Sequence, residues 1–272
     1  MAYLEVDAPR PVYDEAGSLV IRLAETPAEV RAAQHLRFRV FCQEMSAQTS
    51  LEMAAAEREG DAFDEVCDHL LVFDRALGSS PRAVIGTYRL LRRDGAARIG
   101  RFYSEDEFDL ARLRQRPDGI LELGRSCVDP AYRSGATVQL LWRGIAQFVM
   151  HHDIAVMFGC ASLAGTDPEE LALPLSYLHH RHLAPAEMRP RALAERFTAM
   201  DRVAPEGLDV AAARRALPPL LKGYLRLGGM VGEGAVIDAE FGTTDVCVVV
   251  VTDQVTRRYY RHFTRGEPGA EA

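Results

Sequence analysis

The stretch Leu121-Glu122-Leu123-Gly124-Arg125-Ser126-Cys127-Val128-Asp129-Pro130-Ala131-Tyr132-Arg133-Ser134-Gly135-Ala136-Thr137 decides how this chain is read. Residues 119–128 are an apolar run with strand character, and Asp129-Pro130 ends it. On a regular strand Glu122, Gly124, Ser126 and Val128 share one face, while Leu123, Arg125 and Cys127 share the other. A carboxylate and a guanidinium in such a strand are costly unless they are paired or used. A structural salt bridge accounts for them as well as a reactive site does. The turn Arg133–Thr137 then leads into a helix over 138–150, with Leu141, Ile145 and Phe148 on one side. Its N–H groups and positive helix end suit one phosphate, although an ordinary helix cap has the same sequence.

Working outward, Leu19–Leu23 alternates and predicts a strand. Thr26-Pro27-Ala28-Glu29 predicts a capped helix start with Pro at the first position, and the helix runs on to Phe41. Residues 42–64 predict a loop or short helix over a site. His69–Asp74 and Ala83–Leu91 flank Gly78-Ser79-Ser80-Pro81, a hairpin signal. Residues 92–116 predict a long connection with a short helix. Ala155–Ser162 predicts a central strand, Pro168–His182 a helix, 183–222 two or three short helical pieces, and Val246–Val251 a β-branched strand. This order fits an α/β domain, a mixed sheet with helices on both faces, with a helical C-terminal elaboration over 183–222. Residues 1–18 are expected as a loose leader, 19–265 as one domain and 266–272 as a tail.

The chain has 272 residues, 48% of them hydrophobic, and a net charge of −7. That balance speaks against nucleic acid as the main partner, because phosphate binding needs a basic field. Five cysteines occur without a C-x-x-C pair, which is the pattern of buried thiols in a reducing compartment rather than of a disulfide framework or zinc site. His179, His180 and His182 have no convincing acidic or cysteine partner, so no metal is expected. The acidic N-terminus lacks the apolar core of a signal peptide, and no apolar run is long enough to span a membrane. A cytoplasmic protein is expected, with at most peripheral membrane contact. The arginines of 181–215 with Arg257, Arg258, Arg261 and Arg265 suit an acidic carrier protein or an anionic leaflet, and a solvated charged face equally.

The strand, the Arg133–Thr137 turn and the helix resemble the acyl-donor site of GNAT N-acyltransferases. That resemblance implies a mainly antiparallel sheet and a splayed strand that pairs with a pantetheine arm. The turn lacks the fuller glycine-rich pyrophosphate loop, which favours the single phosphodiester of acyl carrier protein over CoA. Leu36-Arg37-Phe38-Arg39-Val40-Phe41 resembles the Arg-x-x-Val-Phe signature of acyl-homoserine-lactone synthases. Asp64, Asp68, Arg89 and the Glu122/Arg125 pair follow in the matching order. The chain departs from that family in lacking a tryptophan soon after Arg37 and in its longer C-terminal region.

Segments along nearly the whole chain resemble the ornithine lipid-forming Nα-acyltransferases: Phe63–Val72, Glu122–Asp129, Leu140–Gly144, Phe158–Ser162, Pro218–Gly228 and Phe241–Asp245. The resemblance implies transfer of a 3-hydroxyacyl group from acyl carrier protein to the α-amine of ornithine, giving lyso-ornithine lipid. The acyl-phosphopantetheine is then a co-substrate, with no bound cofactor. Glu122 would be the general base, and a backbone N–H near Cys127 or Val128 would meet the oxyanion. Arg37, Arg89 and Arg125 would hold the substrate carboxylate, with Asp64, Asp68 and Asp245 on its side-chain ammonium. Arg133, Ser134, Gly135, Ala136 and Thr137 would take the carrier phosphate. Rival readings are an acyltransferase for another amino acid such as glycine, an autoinducer synthase, and a non-catalytic acyl-carrier-binding or lipid-sensing module.

Overall fold

The computed structural model describes residues 12–133 and 135–253. Ser134 and the arginines at 257, 258, 261 and 265 lie outside the described residues, as does the 266–272 tail.

Two short strands, β1 (Tyr13–Ala16) and β2 (Leu19–Leu23), form a hairpin, so part of the expected leader belongs to the sheet. Helix α1 (Pro27–Arg37) starts at Thr26, whose side chain accepts from the N–H of Glu29. The Glu29 carboxylate reaches the N–H of Glu25 and the guanidinium of Arg22 rather than the cap residue's own N–H. Regular helix ends at Arg37, and a wider helical turn continues over Phe38–Glu44. Helix α2 (Leu51–Ala56) and a 3-10 turn at Ala62–Glu65 fill the stretch read as a loop or short helix.

The hairpin strands are β3 (Asp68–Asp74) and β4 (Val84–Arg92). The long connection holds α3 (Arg93–Ile99), β5 (Phe108–Asp109) and α4 (Ala111–Arg114). Then come β6 (Gly119–Val128), α5 (Gly135–His151), β7 (Ile154–Ala164) and α6 (Ala172–His182). The C-terminal part adds β8 (Arg191–Ala192), α7 (Val210–Ala216), α8 (Pro219–Arg226), β9 (Met230–Val231), β10 (Val236–Asp238) and β11 (Thr243–Val251).

The main sheet runs β1-β2-β3-β4-β6-β7-β11-β10, with β9 also on β11. All its neighbours are antiparallel except β6 and β7. One face buries Leu70, Tyr88, Leu121, Leu123, Met157 and Val248 against Leu140, Ile145 and Phe148 of α5, Leu178 of α6 and Leu221 of α8. On the opposite face α1 packs Ala33 and Leu36 over Leu71, Val84 and Cys127. Beside it, Phe102, Phe108 and Leu113 cover Ile120, Phe158, Cys247 and Val249.

Two irregularities of β6 shape everything that follows. Against β4 the register moves from Arg89↔Gly124 to Thr87↔Cys127, so β6 holds one extra residue there. Arg125 occupies the bulge with φ 49°, a left-handed conformation that costs a non-glycine residue roughly 1–3 kcal/mol. The bulge overturns the expected alternation. Cys127 packs under α1, on the face of Arg89, while Ser126 turns to Tyr88 on the other face. Against β7 the parallel pairing stops at Glu122↔Phe158, although both strands continue for six more residues. Beyond that point β7 is paired only on its β11 side, and the two strands splay. Gly159 marks the apex: a Cβ there would stand 2.2 Å from the Leu123 carbonyl oxygen.

Candidate active site

Five of the seven residues expected at the reaction centre gather on the α1 face of this split. Arg37 is fully buried, and its guanidinium holds both oxygens of Asp64 at 2.8 and 2.6 Å. Its Nε is 2.5 Å from Glu59. Arg89 on β4 donates to Asp61 at 2.6 Å and to Asp64 at 3.2 Å. Arg125 donates to Glu59 at 2.8 Å and lies over the rings of Tyr103 and Phe241. Three guanidiniums and three carboxylates thus form one network joining α1, the 59–64 loop, β4 and the β6 bulge. The hydrogen bonds and charge of Arg37 outweigh desolvation and hold the Asp64 carboxyl well below the usual carboxylate range.

A cleft of about 460 Å³ opens on this network. Glu59, Asp61 and Arg125 present themselves to it, with Tyr103, Phe63 and Phe241 as aromatic walls. Arg37, Asp64 and Arg89 do not line it. They stand behind, as the frame that fixes the lining groups.

Glu122 sits at the apex of the split, 3% exposed. Its oxygens accept the backbone N–H groups of Tyr103 at 2.8 Å and Ser104 at 2.6 Å. Burial raises its pKa against the opposing effect of these bonds. Glu122 and Arg125 do not pair with each other: Arg125 pairs with Glu59 at 2.8 Å and with Asp61 at 3.5 Å.

Two expected substrate residues lie elsewhere. Asp68 opens β3, is half-buried and pairs with Arg92 at 3.2 Å, away from the network. Asp245 on β11 is grouped with Glu107 and Cys160. Cys160 donates to Glu107 at 3.4 Å, and Thr243 donates to Asp245 at 2.9 Å. Burial, and then the charge of Asp245, push Glu107 up to about 7.

On the donor side, Cys127 is buried and its thiol is pushed up to about 12 by desolvation, so it is no thiolate at neutral pH. Arg133 holds both oxygens of Glu44 at 2.6 Å, and its Nε donates to the Val128 carbonyl at 3.1 Å. Gly135 and Ala136 are exposed at the start of α5, and Thr137 is buried. His180 and His182 bond the Val203 carbonyl and the Tyr177 hydroxyl, not a shared centre.

Comparison with known proteins agrees with this architecture. A GNAT acetyltransferase domain profile matches residues 36–143. The L-ornithine N(α)-acyltransferase of Brucella abortus is 48% identical over 94% of this chain and 90% of its own length. The protein of that name from Rhodobacter capsulatus is 46% identical over 93% and 97%. The chain belongs to the L-ornithine N(α)-acyltransferase family. An N-acyl amino acid synthase from uncultured soil microbes superposes with a TM-score of 0.48 at 10% identity, covering 88% of this chain and 93% of that one.

In this family member the sequence reading missed Glu59, Asp61, Tyr103 and Glu107. Glu59 and Asp61 had a weak signal: they lie with Asp64 in a stretch, 57–65, that holds five acids before β3. Tyr103 and Glu107 had none, since they lie in a connection without periodicity.

Proposed function

We propose that the protein transfers a 3-hydroxyacyl group from acyl carrier protein to the α-amine of L-ornithine, releasing the carrier thiol and lyso-ornithine lipid. The observation that carries this reading is the split between β6 and β7 opening beside a cleft of mixed charge. Its lining has four carboxylates, Glu59, Asp61, Asp106 and Glu240, against two guanidiniums, Arg101 and Arg125. An amino acid with a second, cationic amine matches that excess of acid, and its carboxylate matches an arginine. The names of the relatives support the same acceptor.

The donor arm would lie in the split, where β6 has backbone groups not used by β7. Asp129 donates to the Ile85 carbonyl at 2.8 Å. N–H directions alternate along an antiparallel strand, so Cys127 also faces β4 while Val128 faces the split. Of the two residues expected to stabilise the oxyanion, Val128 therefore has the N–H available. The turn at Arg133–Thr137 would take the phosphate of the phosphopantetheine arm, with Arg133 exchanging Glu44 for it.

For attack the ornithine α-amine must be neutral. Glu122 is the proposed proton acceptor. The backbone N–H groups of Tyr103 and Ser104 hold its two oxygens in place, and the Ser104 side chain also favours its charged form. The nitrogen forms a bond to the thioester carbon, the oxyanion collapses, and the C–S bond breaks with the thiolate taking a proton. The product is amphiphilic, which is the basis for proposing peripheral contact with the inner leaflet. No helix among the described residues is long and apolar enough to cross a membrane.

The test is incubation of the purified protein with 3-hydroxyacyl carrier protein and a panel of free amino acids, read by mass spectrometry. Acyl-ornithine as the main product is expected. Another acyl amino acid in its place sinks the acceptor assignment, and equal turnover with acyl-CoA sinks the carrier assignment. Glu122→Gln is expected to lower kcat about 10²–10⁴-fold. Unchanged kcat would remove Glu122 from the proton transfer.

A further inference from the structure

Acylation of an amine that arrives as an ammonium leaves one proton over. Of the three hydrogens on the entering nitrogen, one stays in the amide, one goes to the carrier thiol, and one must reach solvent. Glu122, 3% exposed at the apex of the split, therefore needs a route by which to pass that proton on.

A line of polar side chains leads away from it. Ser104 lies in the 3-10 turn Tyr103–Asp106. Its N–H is 2.6 Å from Glu122 Oε1, and its side chain favours the charged form of that carboxyl. On its other side the Ser104 Oγ accepts from Cys160 Sγ of β7 at 3.3 Å, and the same thiol is 3.4 Å from Glu107 Oε2. Ser104 and Glu107 are buried and Cys160 is half-buried. Past Glu107 stands Arg196, 3.9 Å away and itself one-third exposed, at the solvent end of the line. Glu107 also faces Asp245 and Cys247 of β11, Asp238 of β10 and Tyr103. Burial and the charge of Asp245 place its titration at about 7, where a carboxyl both takes and releases a proton.

We propose that Ser104, Cys160 and Glu107 form a proton outlet for Glu122. Glu122 passes its proton to Ser104 Oγ, while the Ser104 hydroxyl proton moves to Cys160 Sγ and the thiol proton moves to Glu107. Glu122 is left as a carboxylate, the hydroxyl and the thiol each keep one hydrogen, and Glu107 then gives a proton up to solvent. The hydroxyl and thiol hydrogens turn about their C–O and C–S bonds, so each group can donate to either neighbour in turn. The three are positioning residues, acting through Glu122 and not on the substrate. The inference rests on the acyl-transfer reading above, with Glu122 as base.

The test follows kcat against pH with 3-hydroxypalmitoyl-acyl carrier protein and ornithine. Wild-type kcat should rise through about pH 7 and then level off. Glu107→Gln keeps the shape of the side chain and removes its proton exchange. It should lower kcat about 10-fold or more at about pH 8 and lose the rise. A neutral amide also relieves the buried charge at that pH, so such a loss is not a loss of fold. Cys160→Ala should lower kcat by a similar factor, with the KM for ornithine within about a factor of two. Cys160→Ser, which puts back a donor and an acceptor, should recover about half or more of the wild-type kcat. A thiol present only for packing gives the opposite order, because a buried hydroxyl costs more than a methyl group. Equal kcat in the two Cys160 variants, or a wild-type pH profile in Glu107→Gln, overturns the proposal. No transfer by wild type, or an undiminished kcat in Glu122→Gln, overturns the parent reading instead.

Discussion

The two buried clusters that flank Tyr103 both hold carboxyls, and those carboxyls behave in opposite ways. Asp64 is 8% exposed, Glu107 5% and Asp245 6%, so burial does not distinguish them. Asp64 lies in the fork of Arg37 and is held far down. Glu107 has only Arg196, at 3.9 Å, and Asp245 only the more distant charge of Arg125, so desolvation pushes both carboxyls up. What a buried carboxyl does is set by its partner. The balanced cluster is a frame. The unbalanced one keeps an unused capacity for a proton or a cation.

The contrast is broken most severely by removing the central cation of the frame. Arg37→Met leaves Glu59 and Asp64 buried with fewer partners, and breaking a buried pair in this way costs about 3–5 kcal/mol. A urea midpoint should fall accordingly. A loss below about 1 kcal/mol would mean that Arg89 and Arg125 alone hold the loop.

The unbalanced cluster predicts a smaller effect of opposite pH sense. The folded-state pKa of Glu107 lies above its unfolded value, so the native state binds that proton more tightly. Its contribution is whole below about pH 4.5 and is lost as pH rises through about 7. The sum is at most about 3 kcal/mol. Glu107→Gln should flatten stability across that window and leave the protein more stable than wild type at pH 8. Asp64 has the reverse sign: its lowered pKa adds stability that is lost as pH falls. If Glu107→Gln keeps the wild-type slope between pH 5 and 8, the titrating group is another one.

The frame of the fold was legible because its elements are long and patterned. The span 119–128 of β6 is found to the residue, β7 extends the expected run by one residue before and two after, and β2 matches. Strands β5, β8, β9 and β10 have two or three residues each, too short for any period to register. β1 is a polar tetrapeptide, Tyr13–Ala16, which reads as leader until its partner is known. The bulge was hidden because nothing about Arg125 announces a left-handed residue. It alone moved Arg125 and Cys127 to the face of Glu122. Arg37, Arg89 and Arg125 lie together in the fold; what the spacing could not show is that Arg37 spends its donors on Glu59 and Asp64, and Arg89 on Asp61 and Asp64. Asp68 stands with Asp64 only through the resemblance to the acyl-homoserine-lactone synthases, and the fold separates the two. The 3-10 turn ends at Glu65, and Asp68 already begins a strand.

That misplacement gives the smallest and sharpest contrast. Asp68 and Arg92 are each about one-third exposed, and Arg92 also reaches Asp94 at 3.2 Å. An exposed pair of this kind is worth about 0–1 kcal/mol, and here the cation keeps a second partner. Asp68→Asn should therefore change stability by less than about 0.5 kcal/mol and leave the KM for ornithine within about a factor of two. Asp61 lines the cleft and pairs with Arg89. Asp61→Asn withdraws a charge from the proposed ammonium site, and should raise that KM about 10-fold, equivalent to about 1.4 kcal/mol. Measured side by side, the two variants remove the same charge from two acids seven residues apart. If Asp68→Asn raised the KM and Asp61→Asn did not, ornithine would have to bind on the β3 side of the sheet, and the cleft would lose its assignment.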